Sequence, residues 1–204
     1  MTDYFDTLAS TWDNNPDKVI RAETTANKIK EIAFPSTRSI VDYGSGTGLL
    51  GIQLRDLFSQ VILADSSQQM LEVASNKIAS ENINNIETQQ VNSLSEVTAT
   101  HSAIATLMTL HHIDNINQFL SEAFDKLDRD GILIVADLYQ EDGSFHKHNP
   151  KYNGHNGFDI DELSTMVNNA GFEVLSIEQY FEIWQENYDG IKVPFPLFLF
   201  VAKK

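Results

Sequence analysis

The sequence predicts an α/β fold: a doubly wound, mostly parallel sheet of about seven strands, with an antiparallel C-terminal strand and an N-terminal helical cap. Three observations predict it. Short apolar runs (SIVDY at 39–43, VILAD at 61–65, AIATLMTL at 103–110, ILIVADL at 132–138) alternate with stretches of helical period, and such alternation builds strand–helix–strand units with parallel strands. The strands are largely apolar rather than alternating, as expected when both faces are covered. The glycine cluster GSGTG at 44–48 follows the first strand, where the chain must turn sharply toward a helix.

The elements follow in order. Asn15 before Pro16 has the pattern of an N-cap with proline at the first helical position. Val19, Ala22, Ala26, Ile29 and Ala33 then make one apolar face, and this helix ends near Pro35. After the strand Ser39–Tyr43, the glycines open a helix running toward Phe58. Val61–Asp65 is the second strand. Ser66 and Gln69 have capping-box spacing before a helix carried by Met70, Leu71, Ala74 and Ile78. Ile86–Val91 is a third strand and Ala103–Leu110 a fourth. Asp114 caps a helix that buries Ile116, Phe119, Leu120, Ala123, Phe124 and Leu127. Gly131 breaks the chain ahead of the fifth strand, Ile132–Leu138. The polar segment 139–157 is too long for an ordinary connection and reads as a lid or binding loop. A helix from Asp159 and Glu162 stops at Gly171, and Phe172–Ile183 and Val193–Lys203 are the final strands. No linker divides the chain, so residues 1–204 are expected to form one domain, with 1–35 as the helical cap and 36–204 as a Rossmann-like core.

Composition narrows the function. The net charge is −15, with only 14 Lys and Arg. Neutralising phosphates takes a basic patch, so nucleic acid is disfavoured as a substrate, and so is an anionic membrane surface. There is no cysteine, which excludes a thiolate metal site and a cysteine nucleophile and suits a cytoplasmic location. The most apolar stretch, PFPLFLFVA at 194–202, is far short of the roughly 20 residues that span a bilayer, so no membrane span is expected.

The segment Val41-Asp42-Tyr43-Gly44-Ser45-Gly46-Thr47-Gly48 carries the chemistry. Gly46, Gly48 and Gly51 satisfy the dinucleotide pattern G-x-G-x-x-G, and Asp65 lies 19 residues after Gly46, where a ribose-binding acid sits. A nicotinamide-dependent oxidoreductase therefore fits the spacing. The additional Gly44, with Asp42 two residues before it, favours a different ligand. A carboxylate there repels a pyrophosphate but suits a cation. The chain also ends too early for a separate hydride-acceptor domain.

VDYGSGTGLLGIQL resembles the first motif of class I S-adenosylmethionine-dependent methyltransferases, close to the small-molecule type 11 group that includes the ubiquinone-biosynthesis type. ILADSSQQMLEVA is similar to their second strand and the helix after it, and TLMTLHHIDNINQFLSEAFDKLDRDGILIVADL to their fourth strand, helix and fifth strand. The resemblance implies a methyltransferase with S-adenosylmethionine as donor. It implies that Gly44, Ser45 and Gly46, with Gly48 in the same loop, line the methionine part, and that Asp42 orients the ammonium. Asp65 takes both ribose hydroxyls, while Ser66 and Met70 flank the adenine. At the third strand, where relatives often place an aspartate, this chain has Asn92 followed by Ser93; the Asn92 side-chain carbonyl can accept the same hydrogen bond. The plainer reading of Asp42 and Asp65 is that each only caps the helix after its strand.

Leu107 ends the fourth strand, in the crevice where open α/β sheets bind ligands. His111 follows, and two readings stand: a catalytic base for the acceptor's proton, or a ring that closes the turn. For His112 the second is favoured. Trp12 closes the other side of the donor or packs in the core. His146, His148 and His155 can be drawn as a metal site, but their spacing is loose and the expectation is no metal. The expected reaction is in-line displacement at the methyl carbon with a small-molecule acceptor, aligned by the enzyme and shielded from water. The rival to the enzyme is a donor-binding protein without transferase activity. The acceptor and the oligomeric state are not legible.

Overall fold

Asn15 starts a helix as its spacing predicts: its side chain accepts the Asp17 amide at 2.9 Å, and Pro16 takes the first helical position. The structure is a computed structural model that describes residues 2–149 and 152–204. Ahead of Asn15 lie a short helix, α1 (Thr2–Leu8), and a 3₁₀ segment, Ala9–Asn14. The helix after Asn15 is α2 (Pro16–Lys30), and then the strands and helices alternate: β1 (Ser39–Tyr43), β2 (Gln60–Asp65), α3 (Gln68–Ser80), β3 (Ile86–Gln90), β4 (His101–Leu107), α4 (Ile116–Lys126), β5 (Leu127–Leu138), α5 (Ile160–Asn169), β6 (Glu173–Glu186) and β7 (Lys192–Lys203).

The seven strands form one sheet in the order β3-β2-β1-β4-β5-β7-β6. Only β7 is reversed; it pairs antiparallel with both β5 and β6. The rest are parallel, because each crossover returns the chain to the same end of the sheet. One face buries Ile40, Leu63 and Ile134 against Ala26 and Ile29 of α2 and Leu71 and Ala74 of α3. The other buries Val41, Ile62 and Leu133 against Phe119 and Leu120 of α4 and Leu163 of α5. The strand order reverses between β1 and β4, and the chain leaves both at the same edge, which is where such sheets hold ligands.

Local details depart from the sequence reading. The segment after the glycines is no α-helix: it runs as turns, with 3₁₀ geometry at Gly51–Leu54, because Gly44, Gly46 and Gly48 all take positive φ and the Gly51 amide is drawn to Asp42 Oδ2 at 2.8 Å. Ser67, not Ser66, caps α3; its hydroxyl accepts the Met70 amide at 3.1 Å. Asn115, not Asp114, caps α4, accepting the Gln118 amide at 3.0 Å. The fourth strand starts at His101 and stops at Leu107 because Met108 turns out with φ 55. Gly131 does not break the chain before the fifth strand. It lies inside β5, beside a register shift against β4 where Asp130 has φ 63. Asp159 caps α5 through the amides of Asp161 and Glu162, and Gly171 follows that helix with φ 100, both as predicted.

Among the described residues, no helix is long and apolar enough to cross a membrane.

Candidate active site at the strand-order switch

The β1 loop shapes the floor of the site. Gly44 and Ser45 donate their amides to the Ala64 carbonyl at 2.7 and 3.1 Å, which ties the loop to β2. Gly44 has no room for a Cβ, because Thr109 occupies that space. Gly46 differs. Its φ is 54, and a Cβ there would have only Met70 Sδ at 3.9 Å and Trp12 Nε1 at 4.0 Å nearby. The open side of Gly46 is a cradle in which a ligand can lie against bare backbone. Gly48 faces the interior, where a Cβ would meet Leu63 at 2.8 Å; it is a packing glycine.

Asp65 ends β2 beside the cradle. Its Oδ2 accepts the Gly46 amide at 2.7 Å and its Oδ1 the Ser67 amide at 2.8 Å. Burial raises its pKa above the ordinary carboxylate value, and the amides of Ser67, Gly46 and Ser66 oppose that rise. Each oxygen keeps a lone pair for a further donor. Asp42 is 1 % exposed and spends one oxygen on the Gly51 amide. Burial pushes its pKa up to about 7, with the Gly51 bond opposing and the charge of Asp65 adding. Both acids brace the loop and border the cavity, and neither caps an α-helix: the segment after β1 is 3₁₀, and Ser67 caps α3.

The cavity above this floor has a volume of about 710 Å³, within the range of small-molecule sites. Of the residues singled out in the sequence, Trp12, Asp42, Gly44, Ser45, Gly46, Asp65, Ser66, Met70, Asn92, Leu107 and His111 line it. Gly48 and Ser93 do not: the Ser93 hydroxyl is turned to Ser95 at 2.5 Å. The Ser45 hydroxyl is buried without a hydrogen-bond partner. Trp12 closes one side, with Lys18 Nζ 3.0 Å from its ring centroid. Burial, with help from Arg21 and against Asp13, pushes the Lys18 pKa down to about 8. Lys18 and Arg21, which also line the cavity, were missed in the sequence; their spacing on α2 carried no ligand signal.

The far wall is made of histidine. His111 is fully buried; its Nδ1 lies 2.6 Å from Asp137 Oδ1, and its backbone amide donates to Asp137 Oδ2 at 3.2 Å. A carboxylate accepts the ring N–H, so the hydrogen sits on Nδ1 and Nε2 keeps its lone pair. Asp137 was absent from the predicted site because it reads as one polar residue in an apolar strand. His112 stands 4.1 Å from His111 by ring centroids. Residues 139–149 and 152–157 fold onto this wall. Tyr139 bridges to Phe158, Tyr152 donates its hydroxyl to the His111 carbonyl at 3.1 Å, and the His155 amide donates to the same carbonyl at 2.8 Å. They thereby bring Phe145, His146 and Asn149 to the cavity. His148 is exposed, and His155 Nε2 is 3.0 Å from the Ile113 carbonyl, so the loop's three histidines do not meet. His101 is structural, between Ser39 Oγ and the Thr98 carbonyl.

Comparison with known proteins agrees with this fold. The profile of the family described as "Methyltransferase domain" matches residues 18–177. The uncharacterized methyltransferase C1347.09 of Schizosaccharomyces pombe is 28 % identical over 120 residues, 54 % of this chain and 42 % of that protein; this chain thus matches less than half of its relative's length. The chain solved with the Trm112 methyltransferase activator of Haloferax volcanii has a similar fold (TM-score 0.77, 16 % identity, 98 % of this chain and 96 % of that one). So does an S-adenosylmethionine-dependent methyltransferase of Aquifex aeolicus (TM-score 0.65, 16 % identity, 92 % and 98 %).

Proposed function

The chain belongs to the methyltransferase-domain family, and on that premise we propose that it takes its methyl group from S-adenosylmethionine and passes it to a small molecule held between the glycine loop and the histidine wall. The observation that carries this is one continuous cavity with two unlike ends. At one end are the Gly46 cradle and the Asp65 carboxylate; at the other are His111, His112 and His146. The donor's groups fit the first end. Asp65 offers free lone pairs to ribose hydroxyls, the unpartnered Ser45 hydroxyl and the open side of Gly46 meet the methionine part, and the donor's cationic groups favour ionisation of the buried Asp42 beside them. Lys18 and Arg21 suit the carboxylate. Ser66, Met70 and Asn92 are the residues we assign to the base.

The donor supplies a methyl group on a sulfonium, a leaving group that needs no protonation. The protein's task is to align the acceptor and keep water out. Trp12 and the N-terminal cap close one side, and the 139–157 segment acts as a lid over the other. His111, oriented by Asp137, is the catalytic base we assign: Nε2 takes the proton from the acceptor atom that attacks. The acidic surface, net −15, supports a small molecule over nucleic acid as the acceptor, and the absence of cysteine supports a cytoplasmic location.

Calorimetric titration with S-adenosylhomocysteine, with NADH as control, tests the donor end; binding of the first at micromolar affinity and none of the second is expected. Radiolabelled methyl transfer to a panel of small hydroxyl, amine and carbon acids, against bulk tRNA, tests the acceptor class. Labelling of the tRNA alone would overturn the small-molecule reading.

A further inference from the structure

Three imidazoles converge on the acceptor end of the cavity from two separate segments. His111 and His112 come from the turn after β4, and His146 from the 3₁₀ segment Ser144–His146 of the lid. Each places a ring nitrogen so that the three lie within 4.8 Å of one another. His112 Nδ1 and His146 Nε2 are both buried with no hydrogen-bond partner. Buried polar atoms are nearly always paired, and unpaired ones call for an explanation. On His111, Asp137 already takes Nδ1, which leaves Nε2 as the nitrogen to ligate.

We propose that His111, His112 and His146 form a binding site for a divalent first-row transition metal such as zinc, with an open fourth position toward the acceptor. The donor set is right for it. Neutral imidazole suits zinc and its neighbours in the row, and three protein ligands with one open position is the pattern of catalytic zinc sites. The carboxylate of Asp137 on the far nitrogen of His111 is the outer partner that metal-bound histidines usually have. Two contacts hold the rings near their places: His146 stacks on Tyr152 at 3.7 Å, and Phe5 packs edge-on to His112 at 5.3 Å. Bonds of about 2.05 Å in a tetrahedron require nitrogens roughly 3.4 Å apart, so the rings must close in from a spacing of up to 4.8 Å as the cation binds.

The inference rests on the proposed reading only for the identity of the acceptor end, and in the metal-loaded site it replaces the base role of His111. Nε2 of His111 cannot hold a cation and take a proton together. In the loaded site, an acceptor hydroxyl ligated at the open position would give up its proton to solvent as it binds, before water is shut out, and more readily than in water, so the base would not be needed. The acceptor then belongs to the class that can ligate a metal, such as a phenol, an enol or a hydroxy acid.

The test is zinc titration of the untagged, metal-stripped full chain by calorimetry, with cobalt(II) absorption to report tetrahedral coordination. One site of about micromolar affinity or tighter is expected. His146→Ala and His146→Gln should each weaken it by roughly 100-fold, Asp137→Asn by about 10–100-fold, and His148→Ala should leave it unchanged. Thermal melts establish that each variant folds. Absence of zinc binding, or binding indifferent to both His146 variants, overturns the proposal. S-Adenosylhomocysteine is titrated into the same preparations. Zinc binding without it would sink the donor reading and leave the metal site standing; the reverse would sink the metal site alone.

Discussion

Asp137 grips His111 twice: Oδ1 lies 2.6 Å from the ring Nδ1, and Oδ2 accepts the backbone amide at 3.2 Å, with both side chains buried. The ring is thus fixed in direction and in tautomer. Asp137→Asn keeps the size of the side chain but can present an amide N–H to Nδ1, which frees the tautomer. Nitrogen-15 NMR of the histidine rings should show a single tautomer, protonated at Nδ1, in the wild type and a mixture in the variant. Turnover in the metal-free enzyme should fall by about 10²–10⁴-fold, the usual range for a general base, with S-adenosylhomocysteine affinity unchanged. A variant with full turnover would remove His111 from the chemistry.

Asp65 holds the cradle and faces the ligand at once. Asp65→Ala removes the acceptor for ribose hydroxyls and also releases the amides of Gly46 and Ser67. A hydrogen bond to a charged group is worth about 1.5–3 kcal/mol, so calorimetry should show at least a tenfold loss of donor affinity, since about 1.4 kcal/mol is tenfold. Unchanged affinity would mean that the ribose lies elsewhere.

The two neighbouring glycines should fail in opposite ways. Gly46→Ala puts a methyl group into open space, so the fold bears only the left-handed backbone strain, about 1–2 kcal/mol, while donor affinity drops tenfold or more. Gly48→Ala drives a methyl into Leu63, 2.8 Å away, on top of a similar strain. Its melting temperature should fall further, with the cradle itself untouched. Melting curves beside calorimetry separate them, and equal donor loss in both would show that the loop moves as a unit.

What the sequence reveals here follows the range of the forces involved. Strand identity, the Asn15 and Asp159 caps and the Gly171 stop are local matters of period and turn chemistry, and each lies where its spacing puts it. The glycine loop and Asp65 were legible because strand ends in a parallel sheet meet at one edge. The caps at Ser67 and Asn115 were misplaced by one residue, since several adjacent polar side chains suit the role and only the backbone angle chooses among them. Three things were not legible. Gly48 packs against β2, and no pattern distinguishes a packing glycine from a cradle glycine. Asp137 belongs to a buried strand whose composition hides it. The grouping of His146 with His111 and His112 depends on how the chain after β5 folds back, and the loose grouping with His148 and His155, disfavoured from its spacing, does not form.

Asp42 gives a pH dependence whose sign can be fixed. Its pKa rises from 3.8 to about 7 in the fold, chiefly through burial. The folded state therefore holds the proton more tightly than the unfolded chain. The stability this contributes is complete below the unfolded value of 3.8 and is lost as pH rises through about 7. Asp42→Asn keeps an acceptor for the Gly51 amide, provided its carbonyl takes the Oδ2 position, and carries no charge to bury. Relative to this variant, the wild type should lose a few kcal/mol of stability between about pH 4 and pH 7, because each tenfold difference in proton affinity between the two states is worth about 1.4 kcal/mol. Urea unfolding of both proteins at about pH 4.5 and about pH 7.5, on either side of most of that window, measures it. Parallel profiles would mean that Asp42 is ionised throughout, with its charge balanced inside the loop.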